Sequence, residues 1–177
     1  MLAVPNEGVS EGSVFLGHIQ ATNFASRTAL PQTVSDSDGR IWALEEGLCD
    51  ADERNYGLFD GSELIARLTI VSPAITANDC PTPFWSVGRI EVADRCQRRG
   101  IASGLATAVV AAIGMPLASD LDQTPGGASV WKRLIRENPG AIELHDANGL
   151  IGSVTIKSGV YEPDPWAARA TRLVRHS

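Results

Sequence analysis

Cysteine is scarce in this 177-residue chain and shows no pairing pattern: Cys49, Cys80 and Cys96 are odd in number, widely separated and form no Cys-x-x-Cys. Neither a disulfide framework nor a zinc ribbon is expected from them. Histidine is equally thin, with His18, His145 and His176 in distant segments. A metal site would need ligands gathered from far apart, and none is expected. No run approaches the roughly 18 consecutive apolar residues of a bilayer span, and the N-terminus lacks the charged and apolar regions of a secretory signal. The expectation is a soluble, cytoplasmic protein without a membrane partner. Two nucleotide-binding fingerprints are also missing, since there is no Gly-x-x-x-x-Gly-Lys-Ser/Thr and no Gly-x-Gly-x-x-Gly after a first strand.

Positive charge is short in the first half. Residues 1–88 hold four arginines against twelve acidic side chains, residues 89–177 hold eleven Lys/Arg against nine acids, and the net charge is −6. An acidic wall would draw a cationic amine by long-range steering, or these carboxylates merely solvate the surface. A nucleic-acid partner is disfavoured, because its phosphates would meet net repulsion without a local basic patch.

Length and a hydrophobic fraction of 44% fit one well-packed domain. Residues 1–13, rich in Gly, Glu and Ser, look like a flexible lead-in; 14–162 form the domain; 163–177 read as a basic tail whose Arg169, Arg172 and Arg175 at three-residue spacing suggest one helical face. Ile41 to Leu48, after the turn-like Ser35-Asp36-Ser37-Asp38-Gly39, reads as the start of a short helix. Asn55 to Phe59 and Glu63 to Val71 flank Asp60-Gly61 and predict a hairpin. A proline-rich loop at 73–83 precedes a strand from Phe84 to Val92. A short apolar segment spans Met115 to Ala118. Thr124-Pro125 offers a helix N-cap with proline at the first position, Val130, Trp131, Leu134 and Ile135 form one apolar stripe, and Asn138-Pro139-Gly140 ends that helix. Ala141 to Leu144 and Leu150 to Ile156 read as two further strands.

The segment Arg89 to Leu105 carries the most chemistry. An apolar strand turns at Gln97-Arg98-Arg99-Gly100 into a helix whose Ile101, Leu105, Val109 and Ile113 recur at three- to four-residue spacing. The first N–H groups of a helix have no intrahelical acceptor, the macrodipole adds partial positive charge there, and Gly100 admits close approach to the main chain. Such a turn can cradle a pyrophosphate. Arg98 and Arg99 add fork-shaped donors for phosphate oxygens, and the spacing does not decide between them.

Gln97-Arg98-Arg99-Gly100-Ile101-Ala102 resembles the Gln/Arg-x-x-Gly-x-Gly/Ala signature of the GNAT superfamily of N-acetyltransferases. The resemblance covers roughly residues 55–156. It implies an α/β acyl-CoA N-acyltransferase fold, a mixed central sheet flanked by helices, in which N-terminal helices help wall the acceptor site. It implies acetyl-coenzyme A as acyl donor and an amine acceptor on a small molecule or a protein. Coenzyme contacts would fall on Ile90 and Val92 of the strand and on Gln97, Arg98, Arg99, Gly100, Ile101, Ala102 and Ser103 of the turn, with a backbone N–H near Val92 polarising the thioester carbonyl. The amine must lose a proton to become a nucleophile, and Glu91 is the first candidate base, with Glu63 the second. Strand alternation puts Glu91 on the face opposite Ile90 and Val92, where it could instead pair with Arg89 or another arginine.

One departure stands out. Where many members carry a Tyr that protonates the departing thiolate, this chain has Trp131, whose indole N–H is no useful proton source. Ser129, Tyr161 or water could serve as the acid, or the protein could bind coenzyme A without efficient transfer. The stretch Leu117-Ala118-Ser119-Asp120, continuing through Thr124 to Trp131-Lys132-Arg133-Leu134, also resembles acetyltransferase-like proteins of bacteriophages, among which Mom-type members modify adenine in DNA. That gives a second expectation, and a non-catalytic coenzyme-binding module gives a third. The sequence leaves the oligomeric state open, a homodimer included.

Overall fold

The computed structural model of the chain describes residues 24–72, 84–119, 123–146, 149–166 and 172–176. In chain order its elements are β1 (Thr28–Ser35), β2 (Ile41–Glu46), β3 (Glu53–Asp60), β4 (Glu63–Val71), β5 (Trp85–Val92), α1 (Ile101–Ile113), β6 (Leu117–Ala118), α2 (Pro125–Glu137), β7 (Ile142–Asp146), β8 (Gly149–Ser153), β9 (Thr155–Lys157), β10 (Val160–Glu162) and β11 (Arg172–Arg175). Nine strands form one sheet in the order β1-β2-β3-β4-β5-β6-β11-β7-β8, and β9 pairs with β10 apart from it. Neighbours are antiparallel except β5 and β6, which run parallel. A parallel pair needs a long crossover, and α1 supplies it. The mixed sheet with its two helices is the architecture that the GNAT resemblance implies.

Local chemistry accounts for the central elements. Gly61, at φ +62°, takes the left-handed position of the turn joining β3 to β4, so Asp60 pairs with Glu63 across the predicted hairpin. Every residue of β4 from Leu64 to Ile70 is buried, which marks it as a strand covered on both faces. On α1 the predicted stripe turns inward, with Ile101, Leu105 and Val109 at 1% exposure or less. Small residues on this helix let it lie close to β1; a Cβ at Gly104 would stand 2.7 Å from Val34 Cγ1. The start of α2 follows expectation, since Thr124 Oγ1 accepts the Gly127 N–H at 3.1 Å and Pro125 opens the helix. Trp131, Leu134 and Ile135 are buried, and Asn138 ends the helix.

Three expectations are corrected. Ile41 to Glu46 is strand β2, not the start of a helix: Trp42 and Leu44 point inward while Ile41 and Ala43 face out, a period of two. Residues 28–46, which the resemblance does not reach, supply the two strands β1 and β2. The predicted strand from Leu150 to Ile156 is broken at Val154, whose N–H donates to the Ile142 carbonyl at 2.8 Å, and Thr155 onward joins β10 instead. The tail is not a helical basic face at Arg172 and Arg175. Its Leu173 and Val174 are both buried, so the segment is inserted as β11 between β6 and β7, and Leu173 donates its N–H to Ser119 Oγ at 3.0 Å. The lead-in of residues 1–13, the loop at 73–83 and Arg169 lie outside the described residues. No helix among the described residues is long and apolar enough to cross a membrane.

Candidate functional site

The site begins where two parallel strands part. β5 pairs with β6 only at Trp85 and Ser86, opposite Leu117 and Ala118, whereas its pairing with β4 continues to Val92. Gly88 is an extra residue on β5, since Thr69 faces Arg89 while the next residue, Ile70, faces Val87. A bulge of this kind bends and twists its strand. The Ala93 N–H donates to the Ile65 carbonyl at 2.8 Å, so alternation turns the main-chain groups of Glu91 toward β4 and those of Ile90 and Val92 away from it. Gln97 Nε2 donates to the Val92 carbonyl at 3.2 Å and to Asp94 Oδ1 at 2.8 Å, which braces the turn against the strand end.

Arg98 and Gly100, at φ +61° and +81°, form a left-handed turn into α1. Gly100 caps the helix with no side-chain hydrogen bond, and the first intrahelical bond runs from the Gly104 N–H to the Gly100 carbonyl at 3.0 Å. The N–H groups of Ile101, Ala102 and Ser103 therefore emerge at the positive end of the helix dipole without intrahelical acceptors. Ser103 Oγ donates back to the Gly100 carbonyl at 3.0 Å. This end of α1 and the first turns of α2 enclose a cleft of about 390 Å³, lined by Ile90, Val92, Cys96, Gln97, Arg98, Gly100, Ile101, Ala102, Ser103, Thr124, Gly126, Gly127, Ser129, Val130 and Arg133.

Eight of the nine residues expected to hold a coenzyme line that cleft, and Arg99 does not. Its guanidinium turns to Asp36 and Asp38, 2.7 Å from a carboxylate oxygen of each, and its carbonyl accepts the Ser37 N–H at 2.9 Å. Burial would raise the Asp36 pKa, but the N–H groups of Arg40 and Asp38, with the Arg99 charge beside them, hold it below the usual carboxylate value. Arg98 thus lines the cleft, whereas Arg99 is held in an ion-pair clasp.

The candidate proton-transfer groups are spread out. Glu91 is on the sheet face opposite Ile90 and Val92, 2.9 Å from Arg67 Nη2 and 3.8 Å from Arg89 Nη1. Arg67 is 3% exposed; burial lowers its pKa while the Glu91 carboxylate acts in the opposite direction. Glu63 sits at the exposed start of β4, paired with Arg95 at 2.7 Å. Ser129 reaches the cleft, yet its hydroxyl donates to the Pro125 carbonyl at 2.9 Å. Tyr161 is outside the cleft lining, edge-on to Trp166 with ring centroids 5.2 Å apart. Trp131 is 4% exposed and belongs to the core.

Sequence reasoning missed Arg133. It lies on the polar side of α2, pairs with Glu137 in the next turn and extends its guanidinium over Gly100. An apolar-stripe reading of α2 gives no signal for it. Gly126 and Gly127 line the same cleft.

No protein-family model matches the chain, and no curated protein matches it in sequence. Among solved structures it is similar to the GNAT domain of PAT from S. lividans, at 15% identity and a TM-score of 0.49, over 82% of this chain and 95% of that one. It is also similar to the ribosomal-protein-S18-alanine N-acetyltransferase from Escherichia coli, at 11% identity and a TM-score of 0.37, over 71% of this chain and 68% of that one.

Proposed function

We propose that the protein is an N-acetyltransferase of the GNAT type, which binds acetyl-coenzyme A in this cleft and transfers the acetyl group to a primary amine of a small molecule or a protein. The observation that carries this reading is the parting of β5 from β6 beside an uncapped helix N-terminus. One uncapped helix start and one strand edge, where the main-chain groups of Ile90 and Val92 turn away from β4, then face the same cleft. The N–H groups of Ile101, Ala102 and Ser103 would hold the pyrophosphate, with Arg98 and Arg133 as side-chain donors. Ile90 and Val92 would pair with the pantetheine arm, and the Val92 N–H would polarise the thioester carbonyl as charge develops on its oxygen.

In this proposal the acceptor reaches the thioester from the side of Glu91. The carboxylate takes the amine proton, directly or through water, the nitrogen attacks the carbonyl carbon, and the collapsing intermediate expels the thiolate. Ser129 is the nearest of the named acids to the cleft, and water is the other source for the thiolate proton. A second reading, coenzyme binding without efficient transfer, is favoured by the burial of Trp131 and the removal of Tyr161 from the cleft lining. The DNA-modifying alternative draws no support from the cleft, where Arg98 and Arg133 are the basic side chains among the described residues.

The test is calorimetric titration with acetyl-coenzyme A of the wild type and Ala102→Glu. A carboxylate in the first turn suits the helix dipole and preserves α1, but it repels a pyrophosphate from the cradle. Binding by the wild type that falls at least about tenfold in the variant, with melting unchanged, supports the site. Equal binding by both proteins sinks it. Release of free thiol with a panel of amines then separates transfer from binding alone.

A further inference from the structure

Far from the turn in sequence, β7 and β11 bring together a second set of chemically able side chains. We propose that Glu143, His145 and His176 form a binding site for a divalent transition-metal ion of the zinc type. In the antiparallel pairing Glu143 faces Val174 and Ile142 faces Arg175. Alternation then places Glu143 and His145 on one face of the sheet, with His176, two residues beyond Val174, on that same face. Arg175 and Leu144 are on the other face.

The donor atoms already converge. Glu143 Oε2 is 2.9 Å from His145 Nε2 and 2.8 Å from His176 Nε2, and one ligand atom from each residue lies within 4.8 Å of the others. Ligands about 2.1 Å from a tetrahedral ion stand about 3.4 Å from one another. The two short separations need open by only about 0.5 Å, and the imidazole pair can close through His176, which is 46% exposed. His145 provides the fixed end: it is 9% exposed on a paired strand, and the Phe84 ring meets it edge-on at a centroid distance of 6.4 Å.

Two imidazoles and one carboxylate are a donor set that zinc, nickel and cobalt accept and that magnesium and calcium do not favour. With three protein ligands and an exposed His176, coordination positions remain for water or another molecule. The competing account is a plain clasp in which the two histidines only bridge strands through Glu143, and metal titration separates the two. Untagged, metal-free full-length protein is titrated with Zn²⁺ by calorimetry and with Co²⁺ by visible absorption, beside His145→Ala, His176→Ala and Glu143→Gln. The expected result is one ion per chain in the micromolar range, ligand-field bands with Co²⁺, and affinity lower by at least about tenfold in each variant. His176→Ala, altering an exposed side chain, leaves the fold intact by circular dichroism and gives the decisive comparison. Absence of saturable binding below millimolar metal, or wild-type affinity in His176→Ala, would overturn the site.

Discussion

The guanidinium of Arg133 lies over Gly100, close enough that a Cβ at position 100 would stand 2.5 Å from Nη2 and 2.7 Å from Cζ. A cation above the positive end of α1 is electrostatically costly on its own. The Glu137 carboxylate, paired with Arg133 Nε, offsets part of that cost, and an anion seated between guanidinium and helix would offset the rest. Arg133→Ala is therefore expected to weaken acetyl-coenzyme A binding about tenfold, the lower end of the roughly 1.5–3 kcal/mol attached to a charged hydrogen bond. Arg133→Lys should recover part of the affinity but lose the bidentate geometry. Calorimetry at two salt concentrations checks both, and a wild-type affinity in Arg133→Ala would remove this side chain from the site.

Arg99 should behave in the opposite way. Its partners Asp36 and Asp38 tie the β1–β2 turn to the helix entry, so Arg99→Ala is expected to lower the melting temperature by a few degrees and to reduce coenzyme affinity only to the extent that the turn loosens. Asp36 also makes stability pH-dependent. Its folded pKa lies below the ordinary 3.8, so the stabilisation is present above about pH 4 and is lost as pH falls through the folded value. Thermal melts from about pH 5 to about pH 2.5 should show a steeper acid loss in the wild type than in Asp36→Asn.

Local signals in the sequence foretell the elements that position the site. Asp60-Gly61 gives the hairpin, Thr124-Pro125 gives the start of α2, and Ile101, Leu105 and Val109 give the buried face of α1. The turn at 97–103 is readable because its chemistry is local. Partners brought from elsewhere are not: the carboxylates that claim Arg99 belong to the β1–β2 turn, and Arg133 comes from the polar side of another helix. Glu143 and His176 are 33 residues apart, with the β7–β11 register joining them. Ile41 to Glu46 is too short for periodicity to separate strand from helix until burial shows which side chains face in. Arg172 and Arg175 mislead for a related reason, because the buried Leu173-Val174 pair between them decides the conformation.

Close packing of α1 on β1 gives a test independent of any ligand. Gly104→Ala would ordinarily gain about 1 kcal/mol of helix propensity. Here the added methyl meets Val34 Cγ1 at 2.7 Å, and Val34 is 1% exposed with no room to move away. Overpacking of this kind costs about 1–3 kcal/mol, so the net change is expected to be destabilising. Val34→Ala in the Gly104→Ala background should recover stability, and a double-mutant cycle by urea unfolding measures the coupling.

Glu91 is held 2.9 Å from Arg67 on the face turned away from the coenzyme cleft, and that placement lets its two roles be separated. If its carboxylate accepts the acceptor's proton, Glu91→Gln should lower kcat by at least about a hundredfold, within the range general-base catalysis supplies. Acetyl-coenzyme A affinity should stay within about twofold, because the binding face is untouched. Added hydroxide should partly restore the rate as a larger share of the amine becomes neutral. A purely structural Glu91 predicts another pattern: losing the partner of a buried guanidinium lowers the melting temperature, and affinity and kcat fall together with no change in the pH profile. Initial rates across pH, measured beside thermal melts of the same preparations, decide between the two.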